Sequence, residues 1–182
     1  MKIYLVRHGE VDQDTDFNRY EKRRNYQLNN LGVMQANNLK NKIKDMNFDA
    51  CFTSPLLRAW STAIIIVGDR IEIKEDSRLM ERYLGEYEDG TQSERFKDNL
   101  DKYYDYKLNS SDHNVEPIQD LYKRCNDFLS YLKDNYSDDS KILIVSHHGI
   151  IKTMHNIINK NKLDGILEEI KIENCSIREY DI

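Results

Sequence analysis

Short apolar runs alternate with longer amphipathic stretches along this chain. Ile3 to Val6 reads as a short buried strand, ended by Arg7-His8-Gly9. A polar stretch without a clean period follows from Glu10 to Asn30 and predicts a long loop. From Leu31 to Met46 the spacing is helical, with Leu31, Met34, Leu39, Ile43 and Met46 roughly on one face. Ala50-Cys51-Phe52-Thr53 predicts a second strand. Ser54-Pro55 then predicts a helix start, because Ser can cap and Pro is tolerated in a first turn; that helix runs through Arg58 to about Val67. Ile71-Glu72-Ile73 alternates as a strand does. Residues 78–115 are the least regular part, with a helix expected from about Thr91 to Lys107. Val115-Glu116-Pro117 opens a further helix that reaches about Tyr136. The continuous run Ile142-Leu143-Ile144-Val145, within Lys141 to Ser146, is the strongest strand signal. His147-His148-Gly149 ends it, and a helix from Ile150 to about Asn159 follows. Two last strands are expected near Leu167 to Ile172 and Cys175 to Tyr180.

Strands alternating with helices predict a three-layer α/β/α sandwich around a mostly parallel central sheet. In such sheets ligands bind beyond the carboxyl ends of the strands, and two of the strands here end in histidine. The 182 residues suit one domain, expected over residues 1–182. No repeat, linker or low-complexity tract interrupts them. The formal net charge of -5 argues against a general nucleic-acid or acidic-membrane surface. An anionic ligand must therefore be met by a local positive cluster. Cys51, Cys125 and Cys175 are far apart and form no CxxC pair, which predicts reduced thiols in the cytoplasm. The apolar run at the start is too short for a signal peptide or a span, and no later run approaches the usual spanning length of about 18 residues.

Four segments carry candidate chemistry. In Arg7-His8-Gly9-Glu10 a strand-end histidine can point into a crevice, and the neighbouring Arg offers a fork of donors matched to phosphate or carboxylate. The same residues could equally form an ordinary surface loop. In Ser54-Pro55-Leu56-Leu57-Arg58-Ala59 an arginine stands in the first turn of a helix, where the dipole disfavours it unless an anion lies beneath. A solvated helix arginine is the alternative. Val145-Ser146-His147-His148-Gly149 repeats the strand–His–Gly pattern. Adjacent residues at a strand end point opposite ways, so His147 and His148 have different surroundings, and one of them could be a core or capped histidine. A His-His pair without nearby Cys or carboxylate spacing is a poor metal signal. The acidic stretch Leu79 to Glu88 could hold the raised-pKa carboxylic acid that protonates a phosphoryl leaving group, or could be a solvated loop.

Taken together and in order, these segments resemble the histidine phosphatase superfamily, also called the phosphoglycerate mutase-like family. Arg7-His8-Gly9-Glu10 resembles its RHGE signature, and Leu28 to Gly32 with Gln35-Ala36 its LTxxGxxQA helix start. Ser54 to Ala59 with Thr62-Ala63 resembles SPLxRAxxTA. Glu81, Gly85 and Glu88-Asp89-Gly90 are similar to E-x3-G-x2-EG, and Glu116 and Arg124 resemble the ends of the GES-to-Arg helix. Val145-Ser146-His147 with Gly149 to Lys152 resembles VSHGGxIR. The resemblance covers nearly the whole chain. It implies the phosphoglycerate mutase-like fold, with His8 as a nucleophile that becomes transiently phosphorylated. It implies that Arg7, Arg58 and His147 surround the phosphoryl group, and that Glu81 protonates the leaving oxygen. Two arginines beside His8 disfavour its imidazolium form, which suits a neutral attacking nitrogen.

The chain departs from the pattern at several positions. Asp14 stands where the family usually has Asn, so either Asn18 or Asn25 is expected to take that place near the phosphate or the loop is expected to be shifted. His148 replaces a common Gly and Lys152 a usual Arg. Together with Arg82, which follows Glu81 as in mutases, His148 and Asn18 form the expected substrate-binding set. The expected activity is hydrolysis of a small phosphorylated metabolite such as a sugar phosphate, phosphoglycerate or α-ribazole phosphate. No cofactor, metal, nucleic-acid or membrane partner is expected, and a homodimer is possible. A phosphoglycerate mutase, a non-catalytic phospho-ligand binder and a metal-dependent hydrolase are the alternatives. The missing paired-Arg or proline-rich insertion after Gly90 argues against the mutase.

Overall fold

The computed structural model describes residues 1–12, 25–89, 100–165 and 170–182. Its centre is a five-stranded sheet of β1 (Lys2–Arg7), β2 (Ala50–Thr53), β3 (Ile73–Glu75), β4 (Lys141–Ser146) and β5 (Ile177–Asp181), in the order β3-β2-β4-β1-β5. β1, β2, β3 and β4 run parallel, and β5 joins β1 antiparallel at one edge. β2 and β4 occupy the bounds that their apolar runs predict. Such strands are buried on both faces, so apolar residues are continuous rather than alternating.

Alternate residues of each strand feed two cores, as strand geometry requires. On one face Tyr4, Val6, Cys51, Leu143 and Val145 pack against α1 (Asn30–Lys42) and α2 (Leu57–Val67). On the other, Ile3, Leu5, Phe52, Ile142 and Ile144 pack against α4 (Ile118–Asn135) and α5 (His148–Ile158). The result is the expected three-layer sandwich. A short helix, α3 (Leu100–Tyr104), belongs to the irregular region.

Several elements differ from the sequence expectation. α2 begins at Leu57 with Leu56 as its cap residue and no side-chain cap, because the Ser54 hydroxyl accepts the Leu56 N–H at 3.2 Å, one turn position too early to reach the helix itself. β3 covers residues 73–75 instead of 71–73, since its register sets Cys51 opposite Ile73 and Thr53 opposite Glu75. α1 stops at Lys42, followed by a turn rather than continuing to Met46. Of the helix expected from Thr91 to Lys107, residues 91–99 lie outside the described residues. The described part ends at Tyr104, where the Asp105 carboxylate accepts the backbone N–H groups of Lys107 and Leu108 at 2.8 and 3.0 Å and turns the chain. Of the strand expected at 167–172, residues 167–169 also lie outside, and Ile170 to Ile172 is not a strand. The last strand begins at Ile177, because Cys175 adopts φ 52° in a turn.

Candidate active site

β2, β4 and β1 are neighbours in the sheet, so their carboxyl ends bring Ser54, His147 and His8 side by side. The pairing continues past the strands: His8 N–H donates to the Ser146 carbonyl at 3.0 Å, and Ser54 N–H to the Val145 carbonyl at 3.1 Å. The His8 and His147 rings lie 5.1 Å apart, tilted by 60°. Three distant segments of the sequence therefore converge because adjacent parallel strands stop at the same edge.

His8 is buried and oriented by its own turn. Its Nδ1 lies 2.7 Å from the Gly9 carbonyl oxygen. A carbonyl can accept but not donate, so Nδ1 carries the proton and Nε2 presents its lone pair. That lone pair faces Arg58, whose Nε donates to it at 3.2 Å. The turn is held by Thr62 Oγ1, which accepts the Gly9 N–H at 3.0 Å. It is also pressed onto the start of α1: a side chain on Gly32 would place Cβ 2.1 Å from the Glu10 carbonyl oxygen. The Leu28 to Gly32 segment thus matters for backbone approach beneath the Arg7-to-Glu10 turn.

Arg7 and Arg58 bring positive charge into this edge. Arg58 is buried in the first turn of α2, and Arg7 Nη1 donates to the Ile172 carbonyl at 2.6 Å while its Nε finds no hydrogen-bond partner. Burial lowers the pKa of both guanidiniums, and the Glu81 carboxylate pulls each back up; arginine stays protonated regardless. His147 is fully buried, with Nε2 2.8 Å from Ser54 Oγ and Nδ1 unpartnered. Burial first, and then the positive charge of Arg58 and its neighbours, holds its pKa well below the usual 6.5, so its ring is neutral.

Glu81 reaches the same region from the chain after β3. Its Oε1 accepts the Arg82 backbone N–H at 2.9 Å and its Oε2 accepts the Gly149 N–H at 3.2 Å, at the start of α5. A Cβ on Gly149 would stand 2.4 Å from Oε1. Glycine at 149 thus leaves room for the Glu81 carboxylate, and His148, half-buried as the first residue of α5, stands one residue before it. Arg7 and Arg58 offer guanidinium forks matched to an anion, beside the carboxylates of Glu81, Glu10, Glu173 and Glu88. A cleft of about 410 Å³ opens from Arg7 and His8 toward Glu10, Val11, Asp12, Asn29 and Asn174. A larger hollow of about 520 Å³, between α4 and α5, contains none of these catalytic candidates. Among the described residues, no three His, Cys, Asp or Glu side chains converge as metal ligands, and no helix is long and apolar enough to cross a membrane.

The remaining expected substrate residues are placed less uniformly. Arg82 is buried away from the cleft, its Nε and Nη2 donating to the Glu116 carbonyl at 2.9 and 2.7 Å and its guanidinium 5.1 Å from the Tyr104 ring centre. Asn18 and Asp14 lie outside the described residues. Asn25 Oδ1 accepts the Leu57 N–H at 2.6 Å, which sets Asn25 beside Arg58. Two polar contacts escape sequence reasoning. Ser54, read there as a helix cap, bonds His147. Asn174, in a turn without any motif, lines the cleft and donates to the His8 carbonyl at 2.9 Å.

A mostly parallel sheet with two histidines, a buried arginine and a half-buried one at one strand edge defines a phosphoryl-handling α/β protein. The chain belongs to the histidine phosphatase superfamily (branch 1), which it matches over residues 3–182. It is 33% identical over 179 residues to the uncharacterized phosphatase PhoE of Bacillus subtilis, covering 96% of this chain and 85% of that one. It is 27% identical over 159 residues to the adenosylcobalamin/alpha-ribazole phosphatase of Escherichia coli, covering 85% and 77%. The solved structure of Bacillus stearothermophilus YhfR superposes with a TM-score of 0.85 at 26% identity, covering 98% and 89%.

Proposed function

We propose that this phosphatase hydrolyses a small phosphorylated metabolite through a phosphohistidine on His8, with Glu81 as general acid and without a metal ion. The observation that carries the reading is the placement of His8: its Nδ1 lies against the Gly9 carbonyl oxygen, and its Nε2 faces the buried guanidinium of Arg58. A phosphoryl group entering between Arg7, Arg58 and His147 takes over the Arg58 donors and releases the Nε2 lone pair. Nε2 then forms a bond to phosphorus as the bond from phosphorus to the leaving oxygen breaks, and Glu81 gives its proton to that oxygen. In the second half a water oxygen bonds to phosphorus, the P–N bond breaks, and the Glu81 carboxylate takes the water proton. Positioning and charge stabilisation supply most of the rate in such transfers, and the arginines provide the charge. Neutral His147 donates a hydrogen bond to a phosphoryl oxygen without adding a full charge.

The 410 Å³ cleft suits a small leaving group, and the likeness to an alpha-ribazole phosphatase supports a sugar or nucleoside phosphate. His148, half-buried at the start of α5, borders the site as a substrate contact, whereas Arg82 is turned away onto Glu116 and Tyr104. The test is to quench turnover with labelled substrate and look for an acid-labile phosphoprotein. Label on wild type and none on His8→Ala is expected, with turnover lost by several orders of magnitude. Substantial turnover in His8→Ala would refute the mechanism.

A further inference from the structure

Glu81 sits in chain without regular structure, between a 3-10 turn at Ser77–Leu79 and another at Gly85–Asp89. Backbone groups there have no helix or sheet partners of their own, yet buried backbone must be paired. Side chains from elsewhere supply the pairing. Arg124, on α4, donates through Nη1 to the Arg78 carbonyl at 2.5 Å and to the Met80 carbonyl at 2.7 Å. Ser146, at the end of β4, donates to the Leu79 carbonyl at 2.8 Å. On the far side of Glu81, Glu116 Oε2 accepts the Tyr83 N–H at 3.1 Å, and the Glu116 N–H donates to the Tyr83 carbonyl at 2.9 Å.

The two sides are tied together. Arg124 Nε and Nη2 reach Glu116 Oε1 and Oε2 at 2.6 and 3.0 Å, a two-pronged ion pair with side-chain exposures of 17% and 13%. Such a fork fixes orientation as well as energy. All of the Arg124 nitrogens are engaged, with Nη1 on the chain before Glu81 and the other two on the residue that grips the chain after it. The Glu116 charge has a second effect. Burial would lower the Arg124 pKa, but the Glu116 carboxylate outweighs burial and the net direction is up. With its charge matched by Glu116, Arg124 does not draw the Glu81 carboxylate off the Arg82 and Gly149 N–H groups that aim it at the site.

We propose that the Arg124–Glu116 pair is a clamp that positions Glu81 for proton transfer. Both are positioning residues; neither contacts the reacting atoms, and the inference rests on the reading of Glu81 as the acid. It sets the pair apart from an ordinary buried ion pair that only adds stability.

The test uses the whole protein with two substrates, glycerol phosphate, whose leaving alkoxide needs a proton, and p-nitrophenyl phosphate, whose leaving group does not. Arg124→Lys keeps the charge and loses the fork. Its kcat on glycerol phosphate should fall by about tenfold or more, since small misplacements of a reacting group are costly. Its kcat on p-nitrophenyl phosphate and both KM values should change by less than about threefold, because binding and the nucleophile are untouched. In a Glu81→Gln background, Arg124→Lys should cost little more on glycerol phosphate, because the acid it positions is already gone. A merely structural pair would slow both substrates equally and would cost as much with or without Glu81, and either result overturns the clamp. Equal losses on both substrates in Glu81→Gln itself would overturn the acid reading and the clamp with it. A selective loss in Glu81→Gln without one in Arg124→Lys overturns the clamp alone. Should Arg124→Lys fail to fold, Glu116→Gln, which keeps one acceptor oxygen and the backbone bond to the Tyr83 carbonyl, is expected to give the same selective pattern, and equal losses there overturn the proposal.

Discussion

Gly149→Ala probes the contact between the α5 N-terminus and Glu81 with a single methyl group. Its Cβ would lie 2.4 Å from Glu81 Oε1 and 3.3 Å from its carboxyl carbon. Ordinary contact begins at 3.4 Å, so the carboxylate must retreat by about 1 Å. The helix backbone cannot yield, because Gly149 is locked in α5 by Thr153 Oγ1 donating to its carbonyl at 2.8 Å. Glu81 therefore gives way and loses the 3.2 Å bond from the Gly149 N–H. A displacement of about 1 Å at a reacting group can cost about a hundredfold in rate. Ala in a helix gains about 0.5–1 kcal/mol over Gly, against about 1.5–3 kcal/mol for a hydrogen bond to a charged group. The net loss of about 0.5–2.5 kcal/mol lowers Tm by about 1–10 °C, at about 2–4 °C per kcal/mol for a chain of this size. We expect kcat on an alkyl phosphate to fall by about a hundredfold, with an aryl phosphate much less affected. Calorimetry beside the two rate assays separates the effects. Full alkyl phosphatase activity in Gly149→Ala would show that proton transfer does not depend on where this contact holds Glu81.

Two further outcomes follow from the electrostatics. His147 has a folded pKa well below the 6.5 it takes in the unfolded chain. The unfolded state therefore binds a proton that the fold refuses, and stability present above pH 6.5 is lost as pH falls toward the folded value, by at most about 1.4 kcal/mol per pH unit. Urea denaturation at stepped pH should show a shallower acid slope in His147→Gln than in wild type, and identical slopes would count against a neutral, buried His147. Dialysis against a chelator should leave the rate nearly unchanged, because Arg7 and Arg58 supply the charge that a metal otherwise provides; a rate restored by added magnesium, manganese or zinc would contradict this.

The central strands were legible because their environment is uniform. β4 is apolar from Ile142 to Val145 since both of its faces are covered, and its neighbours on either side are equally apolar for the same reason. Periodicity carried less information where burial is partial. β3 lies at the sheet edge, half-buried at Ile73 and exposed at Lys74 and Glu75. Its register follows from pairing with β2, which the alternation Ile71-Glu72-Ile73 does not record. The end of α3 depends on one Asp105 side chain bonding its own backbone, a local choice that a window of residues averages away.

The site divides along the same line. Residues at strand ends were visible because parallel strands stop together, so His8, His147 and the Ser54 to Arg58 segment had to meet once β1, β2 and β4 were recognised as neighbours. Residues that act by reaching across the fold were not. Ser54 looks like a cap because a serine before a helix usually is one; its hydroxyl accepts the Leu56 N–H ahead of the helix and also meets His147 Nε2, and α2 starts later without a cap. Arg82 looked like a substrate residue because it adjoins Glu81, but consecutive residues of an extended chain face opposite ways, and its guanidinium goes to Glu116 and Tyr104. The same rule read in reverse explains the clamp. Glu81 can face the site because Arg82 faces away, and Arg82 can be buried because the Glu116 carbonyl and the Tyr104 ring receive its charge. The direction of the acid is thus decided by residues more than thirty positions along the chain, whose role becomes readable once the backbone bonds of residues 78–83 are traced to their partners.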